Sequence, residues 1–245
     1  MGTDILKRLQ GYLAEEAETN HLLGEKVVVR GKILSAEESI GNPQRRDFPL
    51  LKGKESLVQA EFKGALGQAF TDSPRNFTGI LQDFLEFPLD NNFDRACFVA
   101  VLNAVMNYSG KAEKTVHCKN EEPEQCAQGI THYLKEQYGE PKVGIIGFQP
   151  ALLEACSRCF PVRIADLDPD NIGQPKYGIT VESGETDTKD IVEWCDVLLV
   201  TGSTLVNNTL ENFLQTGKPV IFYGTTIAGA AAILGLNRFC LCGSK

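Results

Sequence analysis

The second half of the chain alternates short apolar runs with amphipathic stretches of about three turns, and that rhythm restricts it to an α/β architecture with a mainly parallel sheet. The runs Val143–Gly147 (VGIIG), Val162–Ala165, Val197–Val200 (VLLV) and Val220–Tyr223 read as strands. They are nearly free of polar residues, as strands covered by helices on both faces must be. Between and around them, 124–138, 150–160, a segment ending at 191–195, 208–215 and 226–234 read as helices, and a last short strand falls near 239–241. Pro150 suits an early helical position, and Gly139 a C′ position. Right-handed crossovers between such strands give a Rossmann-like domain.

The first half has a different texture. Ile5, Leu9 and Leu13 fall on one face of a helix capped by Thr3 or Asp4. Lys26–Leu34 and the strictly alternating Leu57–Phe62 read as neighbouring strands joined by the polar loop 37–49. The small and turn-forming residues of 64–75 read as a strand end running into a loop, and 79–87 as a short helix. A long helix follows over 90–108, with Asp90 as N-cap and an apolar surface nearly all round, so it must be buried on most sides. The charged stretch 109–125 connects the halves, which divides the chain into an α+β domain, 1–115, and a Rossmann-like domain, 116–245.

With 245 residues, 42% of them hydrophobic, the chain can bury a substantial core. Its 32 acidic against 24 basic residues leave a net charge of −8, which disfavours nucleic acid as a partner. No apolar window approaches a membrane span, and residues 1–20 lack the apolar core of a signal peptide, so a cytoplasmic protein is expected.

In open parallel sheets ligands bind outside the carboxyl ends of the strands. The segments in that position are Gly147-Phe148-Gln149, Asp166 and its successors, Thr201-Gly202-Ser203-Thr204 with Asn207, and Gly224-Thr225-Thr226. All are small, polar or turn-forming, as a backbone-lined pocket requires; the same residue types also serve as ordinary caps and turns. Asp166 lies 19 residues after Gly147, where a dinucleotide-binding fold holds a ribose hydroxyl. Yet the first turn, GIIGFQP, lacks G-x-G-x-x-G, and no phosphate loop of the G-x-x-x-x-G-K-[ST] type occurs. Asn103 is the only strongly polar side chain between Ala96 and Met106; either it ties a neighbouring loop or it faces the ligand.

Eight cysteines suggest free thiols rather than a disulfide framework in a chain of this size. Cys156 and Cys159 fall with Leu152, Leu153 and Phe160 on one apolar helical face and read as core. Cys240 and Cys242 share one face of the last strand, and His117-Cys118 lies upstream of Cys126. No spacing supplies two matching ligand pairs for zinc, so no metal ligands are assigned; His21, His117 and His132 read as surface residues.

DRACFVAVLNAVMN from Asp94, VGIIGFQPALLE from Val143, the strand ending in Asp166, DVLLVTGSTLVNNTLENFL from Asp196 and PVIFYGTTIAGAAAILGLNRF together resemble the heavy-metal chelation family, over nearly the whole chain. TGSTLVNNT is the most specific part. The resemblance implies an N-terminal domain similar to that of enolase, a Rossmann-like C-terminal domain and a site in the cleft between them, with Asn103 opposite Thr201, Gly202, Ser203, Asn207 and Gly224. The chain departs from the family pattern at Gly147-Phe148-Gln149, where relatives often carry Gly-His-Phe, and so lacks an imidazole for metal ligation or proton transfer there.

The expected function is binding of a small polar or heterocyclic metabolite in that cleft, with a role in heavy-metal chelation or chelator metabolism. The rival is an enzyme that uses a nucleotide or S-adenosylmethionine, with Asp166 on the ribose. A third reading is direct binding of a metal or metal chelate. The sequence identifies no cofactor, no nucleophile and no general base, and it leaves homo-oligomerisation open.

Overall fold

The computed structural model describes residues 3–31, 40–52 and 56–244. The chain is a mixed α/β protein with two sheets, one antiparallel and one mostly parallel. Helix α1 (Thr3–Thr19) is followed by strands β1 (Lys26–Arg30), β2 (Ser56–Phe62), β3 (Ala65–Thr71) and β4 (Phe77–Ile80), ordered β3-β2-β1-β4. β1 and β2 pair antiparallel as expected, with Val27 opposite Phe62; β1 ends at Arg30, Gly31 is outside it, and the remaining expected residues, 32–34, lie outside the described residues.

The stretch expected to leave its strand as a loop is instead the whole of β3. Lys63 and Gly64, with φ of 49° and 84°, form a tight turn that sets Phe62 opposite Ala65. Positive φ at both central residues matches the twist of the flanking strands. The small residues of β3 answer to packing, not to turn formation. A Cβ on Gly67 would lie 2.2 Å from Ala104 N and 2.3 Å from Ala100 O, because a helix backbone lies directly on the strand.

That helix is α3 (Asn92–Tyr108), reached through α2 (Leu81–Leu85). Its N-cap is Asn91 rather than Asp90; the Asn91 side chain accepts from Asp94 N–H at 3.0 Å. Residues Ala96 to Met106 are all buried. The expected short helix starts two residues late, since Gly79 belongs to β4, which pairs with β1.

Beyond α4 (Glu122–Tyr138) come β5 (Val143–Ile146), α5 (Pro150–Ser157), β6 (Val162–Asp166), β7 (Pro175–Lys176), β8 (Ile179–Ser183), α6 (Thr188–Trp194), β9 (Val197–Thr201), α7 (Ser203–Val206), β10 (Val220–Tyr223), α8 (Ala228–Leu234) and β11 (Arg238–Phe239). The sheet order is β11-β10-β9-β5-β6-β8-β7, parallel except for β7. Sequence reading missed β7 and β8: of Ile179–Ser183 only Val181 is fully buried, so the segment lacks the apolar signature of its neighbours. The helix expected over 208–215 is only a 3-10 turn at Leu210–Phe213; α7, which the sequence reading did not expect, precedes it, with Asn208 between them at φ 58°. Among the described residues no helix is long and apolar enough to cross a membrane.

One apolar cluster joins Leu6 and Leu9 of α1, Val27, Val58 and Phe62 of the antiparallel sheet, all of buried α3 except Asn103, and Leu198, Val200 and Phe222 of the parallel sheet. The sheets are also linked at Phe70 N–H, which donates to Thr226 Oγ1 at 3.1 Å. The loop 40–52 is held on the second half by Arg45. Its guanidinium bonds Glu124 at 3.0 Å, Tyr177 at 2.7 Å and Glu154. Burial opposes the Arg45 charge, but Glu154, Tyr177, Asp47 and Glu124 together hold its pKa above the ordinary value.

Gly67→Ala should therefore cost about 1–3 kcal/mol, the range for overpacking a tight contact, although alanine ordinarily favours a strand over glycine. Urea unfolding followed by far-UV circular dichroism measures this; an unchanged midpoint would show that α3 does not rest on β3.

Candidate functional site

The parallel strands run outward from β5 in two directions, through β6 and β8 on one side and β9, β10 and β11 on the other. The loops after β5 and β9 therefore diverge and open a crevice at the carboxyl edge. Gly147 ends β5 at φ 92°, and a Cβ there would stand 2.5 Å from Thr201 Cγ2, so the first loop can pass the second only as glycine. Tyr223 at the end of β10 donates its hydroxyl to Gly147 O at 2.8 Å, fixing this loop from the other side.

Each following segment has its own internal bonding. Asp166 accepts from Phe148 N–H at 2.7 Å, Asp168 N–H at 2.8 Å and Asn171 Nδ2 at 3.2 Å, so its carboxylate braces two loops. Gln149 caps α5 by accepting from Leu152 N–H. After β9, Thr204 Oγ1 donates to Thr201 O at 2.8 Å and Thr201 Oγ1 accepts from Ser203 N–H at 3.3 Å. Gly224, with φ 92°, leads into Thr225 and Thr226, both buried. Thr225 Oγ1 is buried with no protein hydrogen-bond partner.

All twelve of these post-strand residues, Gly147 to Gln149, Asp166, Thr201 to Thr204, Asn207 and Gly224 to Thr226, line a single cavity of ≈ 1050 Å³. The thirteenth expected site residue, Asn103, does not. It is fully buried; its Nδ2 donates to Gln68 O at 2.9 Å, Thr226 O at 3.1 Å and Thr225 O at 3.2 Å, and its Oδ1 accepts from Gly229 N–H at 2.7 Å. Of the two roles the sequence left open, this geometry is that of the loop tie: Asn103 fixes the Thr225-Thr226 wall from behind. The first half supplies Pro49, Phe70, Thr71, Asp72 and Asn92 instead, with Asn92 donating to both Asp72 carboxylate oxygens at 2.9 and 3.0 Å. Thr71 and Asp72 stood out in the sequence only as polar residues of an apparent turn, and their role depends on β3 ending at the cavity.

The cysteines are arranged differently from their sequence reading. All eight are free thiols. Cys97 and Cys156 are core, and burial pushes both thiols up to about 12. Cys159 lies beyond the end of α5 and is exposed, so it does not share the core face of Cys156. Cys240 and Cys242 lie past the end of β11 rather than on it, and with Cys118 they surround Cys126. The Cys118 and Cys240 thiols hydrogen-bond to Cys126, Cys242 contacts it too, and Leu241 N–H donates to Cys126 Sγ at 3.3 Å. These bonds hold the Cys126 thiol below its ordinary pKa and, with burial, raise those of Cys118 and Cys240. Cys118, Cys126 and Cys240 also line the cavity, as does His117, whose ring meets Phe70 edge-on at 5.4 Å instead of facing solvent. His21 and His132 are exposed. Among the described residues no group of three or more His, Cys, Asp or Glu side chains is placed to hold a metal ion.

A doubly wound sheet with an antiparallel α+β unit across its carboxyl edge defines an α/β protein of Rossmann-like topology. Residues 132–235 match the model of the DUF364 family, whose description is "Putative heavy-metal chelation". The structure is similar to a DUF364 protein of unknown function from Pyrococcus horikoshii, with a TM-score of 0.57 and 18% identity over 91% of this chain and 79% of that one. A DUF364 protein of unknown function from Desulfitobacterium hafniense aligns with a TM-score of 0.48 and 13% identity, over 82% of this chain and 81% of that one. At such identities the first likeness speaks to the fold alone. No curated protein matches the sequence.

Replacing Asn103 with Ala strands the Gly229 N–H and leaves three carbonyls without their side-chain donor. The expected loss is about 2–3 kcal/mol, since each unsatisfied buried group costs about 1–3 kcal/mol. Thermal unfolding of the unliganded protein checks this; a variant as stable as the parent would free Asn103 for a role other than bracing the loop.

Proposed function

We propose that the chain binds a small polar or heterocyclic metabolite in the cleft between its segments 1–115 and 116–245, in the service of heavy-metal chelation or the metabolism of a chelator. The observation that carries this reading is the opening of the post-strand segments at β5, β6, β9 and β10 onto one cavity, whose lining also includes Phe70, Thr71, Asp72 and Asn92 of the first half. Its volume is at the upper end of the roughly 300–1000 Å³ typical of small-molecule pockets. The wall suits an amphipathic ligand: Phe70, Phe148 and Tyr223 offer aromatic surface, while Thr201, Ser203 and Asn207 offer neutral polar groups. Thr225 Oγ1, buried and unpartnered at the wall, is a place for a polar ligand atom or a water. The nucleotide alternative gains no support here, because the Asp166 carboxylate already serves three donors.

Denaturing the purified full chain should release a polar small molecule detectable by mass spectrometry, and Ser203→Trp, which sets an indole among the polar wall residues, should carry markedly less while remaining folded. A ligand at about 100 times its dissociation constant adds about 2.7 kcal/mol of stability, so a panel of polar heterocycles is also expected to yield one that raises the melting temperature. Two outcomes overturn the reading: equal ligand content in the variant, or neither a released compound nor any stabilisation. Stabilisation confined to adenosine nucleotides or S-adenosylmethionine transfers support to the rival.

A further inference from the structure

The four thiols around Cys126 are brought together by the end of the chain. Val116 and Ser244 exchange two backbone hydrogen bonds of 3.1 Å in an isolated antiparallel bridge, which lays 240–244 beside 116–118. In an antiparallel pair, residues two steps from a bridge on either side are themselves opposite and on the same face. This places Cys118 across from Cys242, and Cys126, near the start of α4, lies against both segments.

At Cys126 the surroundings favour negative sulfur. Leu241 N–H points at Cys126 Sγ. The Arg238 guanidinium lies beside Cys240 and Cys126, held by Gly224 O at 3.0 Å, Glu113 O at 3.0 Å and Lys114 O at 2.7 Å, and Lys114 Nζ donates to Cys240 O at 2.7 Å. Backbone N–H groups and fixed cations of this kind stabilise coordinated thiolates. Cys118, Cys126 and Cys240 are reached from the cavity, which gives an entering ion a path. A core purpose alone does not explain the group, since none of its four cysteines is fully buried, unlike Cys97 and Cys156.

We propose that Cys118, Cys126, Cys240 and Cys242 form a binding site for a soft divalent cation such as Zn²⁺ or Cd²⁺. Metal–sulfur bonds of about 2.3 Å in a tetrahedron set the sulfurs roughly 3.8 Å apart, a spacing close to that of thiols already hydrogen-bonded to one another. The thiols are linked through Cys126, and as the chain stands no group of its described side chains is placed to hold a metal ion, so the sulfurs must be drawn round a centre. Binding therefore exchanges S–H···S bonds for metal–sulfur bonds and releases the thiol protons to solvent. Thiolate ligands select soft cations over Mg²⁺ or Ca²⁺. The site stands apart from the metabolite reading, because its probe is the metal alone and the post-strand residues of the cavity take no part.

Anaerobic titration of the reduced, metal-free full chain with Co²⁺ tests it. The expected result is thiolate-to-cobalt charge-transfer absorption that saturates at one ion per chain and disappears when Zn²⁺ or Cd²⁺ is added. Cys126→Ser should abolish the band, Cys242→Ser should weaken Co²⁺ binding at least tenfold, and Cys159→Ser should leave both unchanged. If Cys126→Ser does not fold, the partly exposed Cys242→Ser carries the comparison. Absence of the band in the parent, or its full retention in Cys242→Ser, overturns the proposal; so does equal loss in Cys159→Ser. Stabilisation by a released or added metabolite while Co²⁺ gives no band would leave the metabolite reading standing and remove this one.

Discussion

Everything in this molecule rests on the need to cover helix α3 on all sides. Eleven consecutive buried residues, Ala96 to Met106, leave it no face that tolerates water. With roughly 1.5–3 kcal/mol at stake for each large apolar side chain removed from solvent, neither sheet can give up its share of the contact. The antiparallel sheet takes one side so closely that β3 must carry Gly67, and α8 takes another, with Gly229 facing Leu102, Asn103 and Met106. A helix apolar all round is thereby the joint between the two halves, and their relative position is a packing result.

The cavity's position follows from this joint. β3 lies on α3 and ends at Thr71, which brings Phe70, Thr71 and Asp72 to the carboxyl edge of the parallel sheet, where the loops after β5 and β9 separate. Two polar contacts fix the alignment where apolar packing alone would allow sliding. Asn103 reaches through the core to the backbone of 225, 226 and 229, and Thr226 Oγ1 receives Phe70 N–H. Each is satisfied within a low-dielectric interior, where a misalignment of one residue would leave several groups unpaired. The polar residue in the apolar helix thus sets the register of the wall without touching what the wall encloses.

This explains what could be read from the sequence. Strands β5, β6, β9 and β10 were legible because burial on both faces demands unbroken apolar runs, and the positions of twelve cavity residues followed from topology alone. β3 was not legible: its small residues are dictated by Ala100 and Ala104, more than thirty positions away, and imitate a loop. β7 and β8 escaped because an edge strand with one fully buried side chain has no strong pattern. Asn103 was visible as an anomaly, but a buried amide that braces a loop and one that faces a ligand look alike until their partners are known. The thiols were judged by spacing along the chain, whereas the pairing of Val116 with Ser244 brings together positions more than a hundred residues apart.

The cavity wall and the thiol group are mechanically one structure, and Arg238 makes them so. Its Nε holds Gly224 O, at the end of the β10 loop that lines the cavity, while its terminal nitrogens hold Glu113 O and Lys114 O, whose chain runs on to Cys118. Burial depresses the pKa of this guanidinium, and the neighbouring Cys240 and Cys126 sulfurs partly restore it, so its charge is best accommodated when those sulfurs are negative. One cation is thus shared between a loop that lines the cavity and a segment that leads to the thiols.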